Sequence, residues 1–316
     1  MQTPIPAKVA VLIPCYNEEA TVASVILDFA AHLPDASIHV FDNNSSDLTT
    51  TRAREAGAAV RHVDYQGKGN VVRRMFADID ADIYVLVDGD GTYDASDAPK
   101  FIARLLAEDL DMVVGARTSD EQSAYRRGHR FGNVMLTSVV AQIFGNSFSD
   151  MLSGYRVFSR RFVKSFPAHS GGFEIETELA VHALELRMAV AEIATAYKSR
   201  PEGSASKLNT YSDGFRILLM ILRLFKTEKP LLFFSLGFAI CTLASVILAI
   251  PVFETYVETG LVPRFPTALL CAAIMLFGTL LLVCGLVLDT VTRGRAEAKR
   301  LAYLRVPAPS STHRFR

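Results

Sequence analysis

The chain contains no tryptophan and only four cysteines among its 316 residues. Cys15, Cys241, Cys271 and Cys284 show no metal-ligand spacing, which argues against a cysteine metal site and against a disulfide framework. Three of them lie in very apolar segments, and all read as small buried hydrophobes. An excess of charge is also lacking. Lys+Arg and Asp+Glu number 33 each, for a formal net charge of +0. No basic run resembles a nucleic-acid arm, so no nucleic-acid partner is expected. Nor does a secretory signal stand out. Val9 to Pro14 is too short for an apolar signal core, and Glu18-Glu19 follow soon after.

Long uncharged runs are abundant, and they are segregated. Residues 231–253 and 265–288 carry no charge. Each exceeds the roughly 20 residues that cross a hydrocarbon core as a helix. The linker, 254–264, is short, so the pair is expected to form a transmembrane hairpin. Arg216, Arg223, Lys226 and Lys229 precede it, and Arg293, Arg295, Lys299 and Arg300 follow it. The linker holds Arg264 alone, beside Glu254 and Glu258. The positive-inside rule therefore puts both termini in the cytoplasm. In residues 211–229, Asp213, Arg216, Arg223 and Lys226 fall near one stripe at helical spacing, and apolar residues cover the rest. That pattern suits a helix lying in the membrane interface. The expected layout is a cytosolic domain over 1–210, an interfacial helix over 211–229, a hairpin over 230–290 with spans near 231–253 and 267–288, and a basic cytosolic tail over 291–316.

The N-terminal part alternates strand and helix. Strands are expected at 8–14, 37–41, 58–63, 83–87 and 111–115, with helices at 18–33, 47–56, 70–79 and 97–108. Such alternation implies an α/β fold with a mostly parallel sheet and helices on both faces. Past Arg117 the pattern loosens. An apolar helix is expected at 131–144, a loop entering a strand at 150–158, a glycine-led helix at 171–187 and a strand at 190–197. The basic loop 198–208 follows.

Ile83 to Val87 is an apolar run suited to a strand buried on both faces. It ends at Asp88-Gly89-Asp90, followed by Gly91-Thr92. Open α/β sheets bind ligands at the carboxyl ends of their strands. Two neighbouring carboxylates there repel unless a cation lies between them. Hard oxygen ligands favour Mg²⁺ or Mn²⁺, completed by phosphates and water. A plain polar turn is the competing reading.

IPCYNEE (13–19), DNNSSD (42–47), GKGNVVRRMF (67–76), VDGDGTYD (87–94), VVGAR (113–117), DMLSGYRVF (150–158), GFEIETEL (172–179) and RPEGSASKL (200–208) occur in this order. Together they resemble family 2 glycosyltransferases of the GT-A (Rossmann-like) fold. More narrowly they resemble polyprenyl-phosphate glycosyltransferases of the dolichyl-phosphate mannose synthase type. The likeness covers residues 8–229. It implies sugar transfer from a UDP or GDP sugar, with a lean toward UDP, to a polyprenyl phosphate in the bilayer. It implies that Pro14, Tyr16, Glu18 and Asp42 hold the nucleotide's base and ribose, and that Lys68 approaches the diphosphate or sugar. Asp88 and Asp90 match the D-x-D metal motif, with Asp90 the first choice as direct ligand of Mg²⁺ or Mn²⁺. Many members carry Gln or His where this chain has Thr92. Arg117, Arg126 and Arg200 match arginines that face phosphates, and Lys207 shares the basic loop. Asp42 could instead cap the next helix, unless Asp47 does so. Glu174 and Glu176 fall near the expected acceptor side, although a solvated helix face explains them nearly as well. His129, His169 and His182 read as structural. A transferase with a polysaccharide or glycolipid acceptor and a non-catalytic membrane adaptor are the alternatives. The oligomeric state is open, a homo-oligomer included.

Overall fold

The computed structural model describes residues 7–118, 140, 148–172, 174–198, 219 and 222–308. The chain divides into two compact units, residues 1–217 with 298–316, and residues 218–297.

The first unit is built on seven strands among the described residues: β1 (Val9–Cys15), β2 (Ser37–Asp42), β3 (Ala59–His62), β4 (Ile83–Leu86), β5 (Met112–Thr118), β6 (Arg156–Ser159) and β7 (Val190–Ala196). Their order is β3-β2-β1-β4-β6-β5-β7. The first four run parallel, as do β5 and β7. Only β6 is antiparallel, to both β4 and β5. The mostly parallel sheet expected from the alternation is present.

The helices of this unit are α1 (Val22–His32), α2 (Thr49–Glu55), α3 (Lys68–Asp78), α4 (Ala98–Ala107), α5 (Arg160–Ser165) and α6 (Ile175–Glu185). The first starts at Val22 rather than Glu18. Residues 18–21 form a turn in which the Glu18 carbonyl accepts from the Thr21 and Val22 N–H groups. The expected helix at 131–144 lies outside the described residues apart from Val140.

Strand β4 is the sheet's centre and shows why its sequence is so apolar. Ile83, Tyr84 and Val85 are 0% exposed, and Leu86 2%. The core on the α1/α4 face joins Val11, Ile13, Val85, Phe29, Phe101 and Tyr155. Phe101 and Phe29 both pack on the Tyr155 ring. On the other face, Phe76, Phe158 and Phe162 meet in turn, and Phe162 and Phe166 pack edge-on against His182.

His182 is structural, as the sequence suggested. Burial, helped by the charge of Lys299, pushes its pKa down to about 3. A histidine whose folded pKa lies below its unfolded value of 6.5 stabilises the fold above that value, and the contribution is lost as pH falls toward 3. Thermal melts of the wild type should therefore fall between pH 6.5 and 4 more steeply than those of His182→Gln. Superimposable pH profiles would show that the histidine carries no such linkage.

The second unit contains a helical hairpin of α7 (Pro230–Thr259) and α8 (Phe265–Leu304). Both are long and apolar enough to cross a membrane. Helix α7 ends at Gly260, which adopts the left-handed conformation (φ 69°) that glycine alone adopts without strain. The seam of the hairpin is made of small residues. The buried residues of α8 are Cys271, Gly278 and Gly285, one every seventh position. A Cβ at Gly278 would lie 2.9 Å from the Cys241 Cβ, and one at Gly285 would lie 3.0 Å from the Phe234 Cβ. In lipid, such close approach is what drives helix association, since water contributes nothing there. Ser245 adds a hydrogen bond to the Cys271 carbonyl (2.9 Å). Cys284 is exposed and Cys241 half-buried, so the reading of all four cysteines as buried holds only for Cys15 and Cys271. The cause is the seam itself: it uses one face of each helix and leaves the others outward.

Helix α8 continues past the apolar run. From Ala298 onward its residues belong to the first unit. There Lys299 pairs with Glu185 (2.6 Å), and the Tyr303 hydroxyl donates to Asp111 (3.0 Å). Asp111 also takes the Arg161 guanidinium and the Ser159 hydroxyl. The interfacial helix expected at 211–229 falls mostly outside the described residues; residues 222–228 are helical.

Candidate active site

The turn after β4 is fixed on two sides. The Gly89 carbonyl accepts from the Thr21 hydroxyl at the start of α1 (2.7 Å). A side chain at Gly89 would meet the Cys15 sulfur of β1 at 2.7 Å, so any larger residue would have to displace it. Gly91 then turns the chain with a φ of 73°. Asp88 and Asp90 are thereby held at the carboxyl edge of the sheet.

The two carboxylates have different partners. Asp90 is buried, at 4% exposure, and its Oδ1 accepts from the Thr92 hydroxyl (2.6 Å) and N–H (3.2 Å). Thr92 thus helps to orient the aspartate. Asp88 accepts from the Lys68 ammonium (2.5 Å). Lys68 also bonds Glu176 at 2.5 Å. Burial works against the charge on Lys68, but Asp88 and Glu176 outweigh it and hold the ammonium protonated well above the usual lysine range.

Backbone geometry builds this cluster. Lys68 opens α3, between Gly67 and Gly69. Gly67 has a φ of 125° and donates its N–H to the Asn43 side chain (2.7 Å). The Gly69 N–H donates to the Gly172 carbonyl (3.1 Å), and a Cβ at Gly69 would strike the Ser170 carbonyl. The glycines let segment 170–172 lie directly on the start of α3. That contact brings Glu176, in the first turn of α6, to Lys68. Glu176 is 6% exposed, which removes the solvated-face alternative for it; Glu174 is exposed. The second carboxylate oxygen of Glu176 is buried and meets no donor among the described residues. Sequence reasoning put Glu176 near the acceptor side but did not pair it with Lys68. The G-G-x-x-x-E spacing at 171–176 was a signal only in combination with G-K-G.

A second group lies at the ends of β1 and β2. Asp42, at 3% exposure, accepts from the Ser45 N–H (3.3 Å) and lies 3.3 Å from His62 Nδ1. Its Oδ1 is buried and meets no donor among the described residues. Neither aspartate is the N-cap of α2, which is Leu48; Asp47, one residue earlier, accepts from the Thr49 N–H (3.0 Å) and hydroxyl (2.5 Å). Burial would raise the Asp47 pKa, but the bonds from Thr49 and Glu19 prevail and keep it below the ordinary carboxylate range. Pro14, Tyr16 and Glu18 line the same edge, each half-buried.

Arg117 has a carboxylate partner in this structure. Its guanidinium forks onto Asp150 (2.6 and 2.8 Å) and lies over the Tyr197 ring at 5.4 Å. A bidentate carboxylate partner satisfies the same donors that a phosphate would take. Arg126, Arg200 and Lys207 lie outside the described residues. Among the described residues no three His, Cys, Asp or Glu side chains group as a metal cage. Two carboxylates fit a hard cation that takes the rest of its ligands from phosphates and water, as Mg²⁺ does.

Residues 10–166 match the family described as Glycosyl transferase family 2. The chain is 37% identical over 305 residues to glycosyltransferase AglJ of Haloferax volcanii, covering 95% of this chain and 99% of that one. It is 26% identical over 222 residues to the dolichyl-phosphate hexose transferase of the same organism, covering 70% and 95%. Among solved structures it is similar to glucosyl-3-phosphoglycerate synthase of Mycobacterium tuberculosis in complex with Mn²⁺, UDP and glucosyl-3-phosphoglycerate. The TM-score is 0.58 at 23% identity, over 70% of this chain and 79% of that one. The sheet, the acidic edge of β4 and these likenesses define a GT-A-type glycosyltransferase. The chain belongs to glycosyltransferase family 2, and within it is of the polyprenyl-phosphate glycosyltransferase-like kind.

Proposed function

We propose that this protein transfers a sugar from a nucleotide-diphosphate sugar to a membrane polyprenyl phosphate, from an active domain on the cytosolic side. The observation that carries the reading is the carboxyl edge of β4, where Asp88, Lys68 and Glu176 converge two residues from Asp90, in a chain that also carries two apolar helices of spanning length. The names of AglJ and the dolichyl-phosphate hexose transferase support it.

Asp42, with a buried carboxylate oxygen that meets no donor, would take a hydroxyl or N–H of the nucleoside, beside Pro14, Tyr16 and Glu18. Asp90, with Asp88, would hold Mg²⁺ or Mn²⁺, which supplies neutralisation of the charge growing on the leaving diphosphate. Lys68 keeps a fixed positive charge beside Asp88, close to where that diphosphate must lie. Arg117 braces the 148–155 loop through Asp150. Arg126, Arg200 and Lys207 would face the acceptor phosphate from the basic loops. A phosphate acceptor is largely ionised near neutral pH, so the chain needs cations to hold it more than it needs a strong base. UDP is the favoured nucleotide. The layout proposed is domain 1–210, interfacial helix 211–229, hairpin 230–290 and tail 291–316.

The test is purified protein with a panel of nucleotide sugars and polyprenyl phosphates. Radiolabelled sugar should partition into organic solvent as a lipid-linked product. Transfer only to a water-soluble acceptor would favour the second reading, a non-prenyl acceptor, which the likeness to glucosyl-3-phosphoglycerate synthase keeps in view. The topology has its own test. Thr259 is exposed at the end of α7. In a background without native cysteines, Thr259→Cys should react with an impermeant thiol reagent added from outside the cell. Labelling only after the membrane is opened would reverse the orientation.

A further inference from the structure

Gly154 has no conformational need to be glycine, since its φ lies outside the left-handed region. It has a steric one. A Cβ built there would lie 2.8 Å from the Asp88 Cγ and closer still to Oδ2. We propose that Gly154 is a positioning residue, whose bare Cα face seats the Asp88 carboxylate so that it meets Lys68 and stands beside Asp90. This rests on the reading of the Asp88/Asp90 edge as the donor site.

The loop that carries Gly154 cannot retreat. Its N–H donates to the Tyr93 hydroxyl at 2.9 Å. The Ser153 hydroxyl donates to the Gly115 carbonyl at 2.6 Å. Arg156 is fully buried at 0% exposure, and its guanidinium donates to the Met151 and Ser153 carbonyls at 2.5 and 3.0 Å. Asp150 is pinned by the Arg117 fork. A buried guanidinium is costly unless its donors are used, so Arg156 resists any rearrangement that frees those carbonyls. The loop is therefore the rigid partner and the Asp88 side chain the movable one. A methyl at 154 is accommodated by swinging Asp88 away, which also unseats Lys68 from one of its two carboxylates. The glycine acts on the donor site through Asp88, without touching a ligand itself.

The experiment compares wild type, Gly154→Ala, Asp88→Ala and the double variant as purified full-length protein. Mn²⁺ affinity in the presence of UDP is read by electron paramagnetic resonance, and folding stability by thermal melts. Gly154→Ala should weaken Mn²⁺ by about tenfold, the scale typical of disturbing groups that orient a metal ligand. Its stability loss should shrink when Asp88→Ala removes the opposing carboxylate. If Gly154→Ala alone fails to fold, recovery of folded protein in the double variant supports the proposal, and failure of both overturns it. Unchanged Mn²⁺ affinity in Gly154→Ala, or an equal stability loss in both backgrounds, overturns it as well. Wild-type protein that binds no Mn²⁺ with UDP would instead sink the donor-site reading.

Discussion

Asp90→Asn is expected to lower sugar-transfer turnover by at least about two orders of magnitude, the usual effect of losing one electrostatic group at a charge that develops in the transition state. The substitution isolates charge from structure. Asn keeps an Oδ1 that can accept from the Thr92 hydroxyl and N–H, the two bonds that orient residue 90. Packing around this buried position should therefore survive, and melts should stay close to those of the wild type. Chelation should reproduce the effect: EDTA ought to silence the wild type and add little to the residual rate of the variant. Near wild-type turnover with EDTA present would remove the metal from the mechanism.

Lys68→Met should be the most destabilising single change in the site. Lys68 is the shared cation of Asp88 and Glu176, and its side chain is only 11% exposed. Removing one partner of a buried ion pair typically costs about 3–5 kcal/mol, because the other charge is left uncompensated. The pH dependence of the lysine's own contribution follows from its raised pKa. In the wild type, the folded pKa of Lys68 is raised, so its contribution is complete below the unfolded lysine value and is lost only as pH rises through the folded one. Across the neutral range it is constant. In Lys68→Met the buried Glu176 and the half-buried Asp88 lose their shared cation. Thermal melts across the neutral range read the loss. A variant within about 0.5 kcal/mol of wild type, the size of an ordinary surface change, would mean that the cluster carries little of the fold's stability.

The hairpin, the strand–helix alternation and the acidic edge of β4 were all readable from the chain, because each is a local pattern. An uncharged run of spanning length, a buried apolar strand and a turn that follows it need no distant partner to be seen. The family motifs likewise lie in order along the sequence. Tertiary structure decided which of those residues meet. Lys68 and Glu176 are far apart in the chain, and only the glycine-on-backbone contact of Gly69 with 170–172 brings them together. Glu176 could not be told from a solvated helix residue without it. Asp42 could be a helix cap or a ligand group in the sequence, and the fold removes the capping role, since the N-cap of α2 is Leu48 and Thr49 bonds Asp47. That Arg117 meets Asp150 is likewise visible only in the fold. The antiparallel insertion of β6 between β4 and β5 is equally invisible locally, yet it delivers the Gly154 loop to Asp88. Periodicity and charge fix what each segment is. Which side chains share one cluster depends on long-range strand order and on where glycine lets two backbones touch.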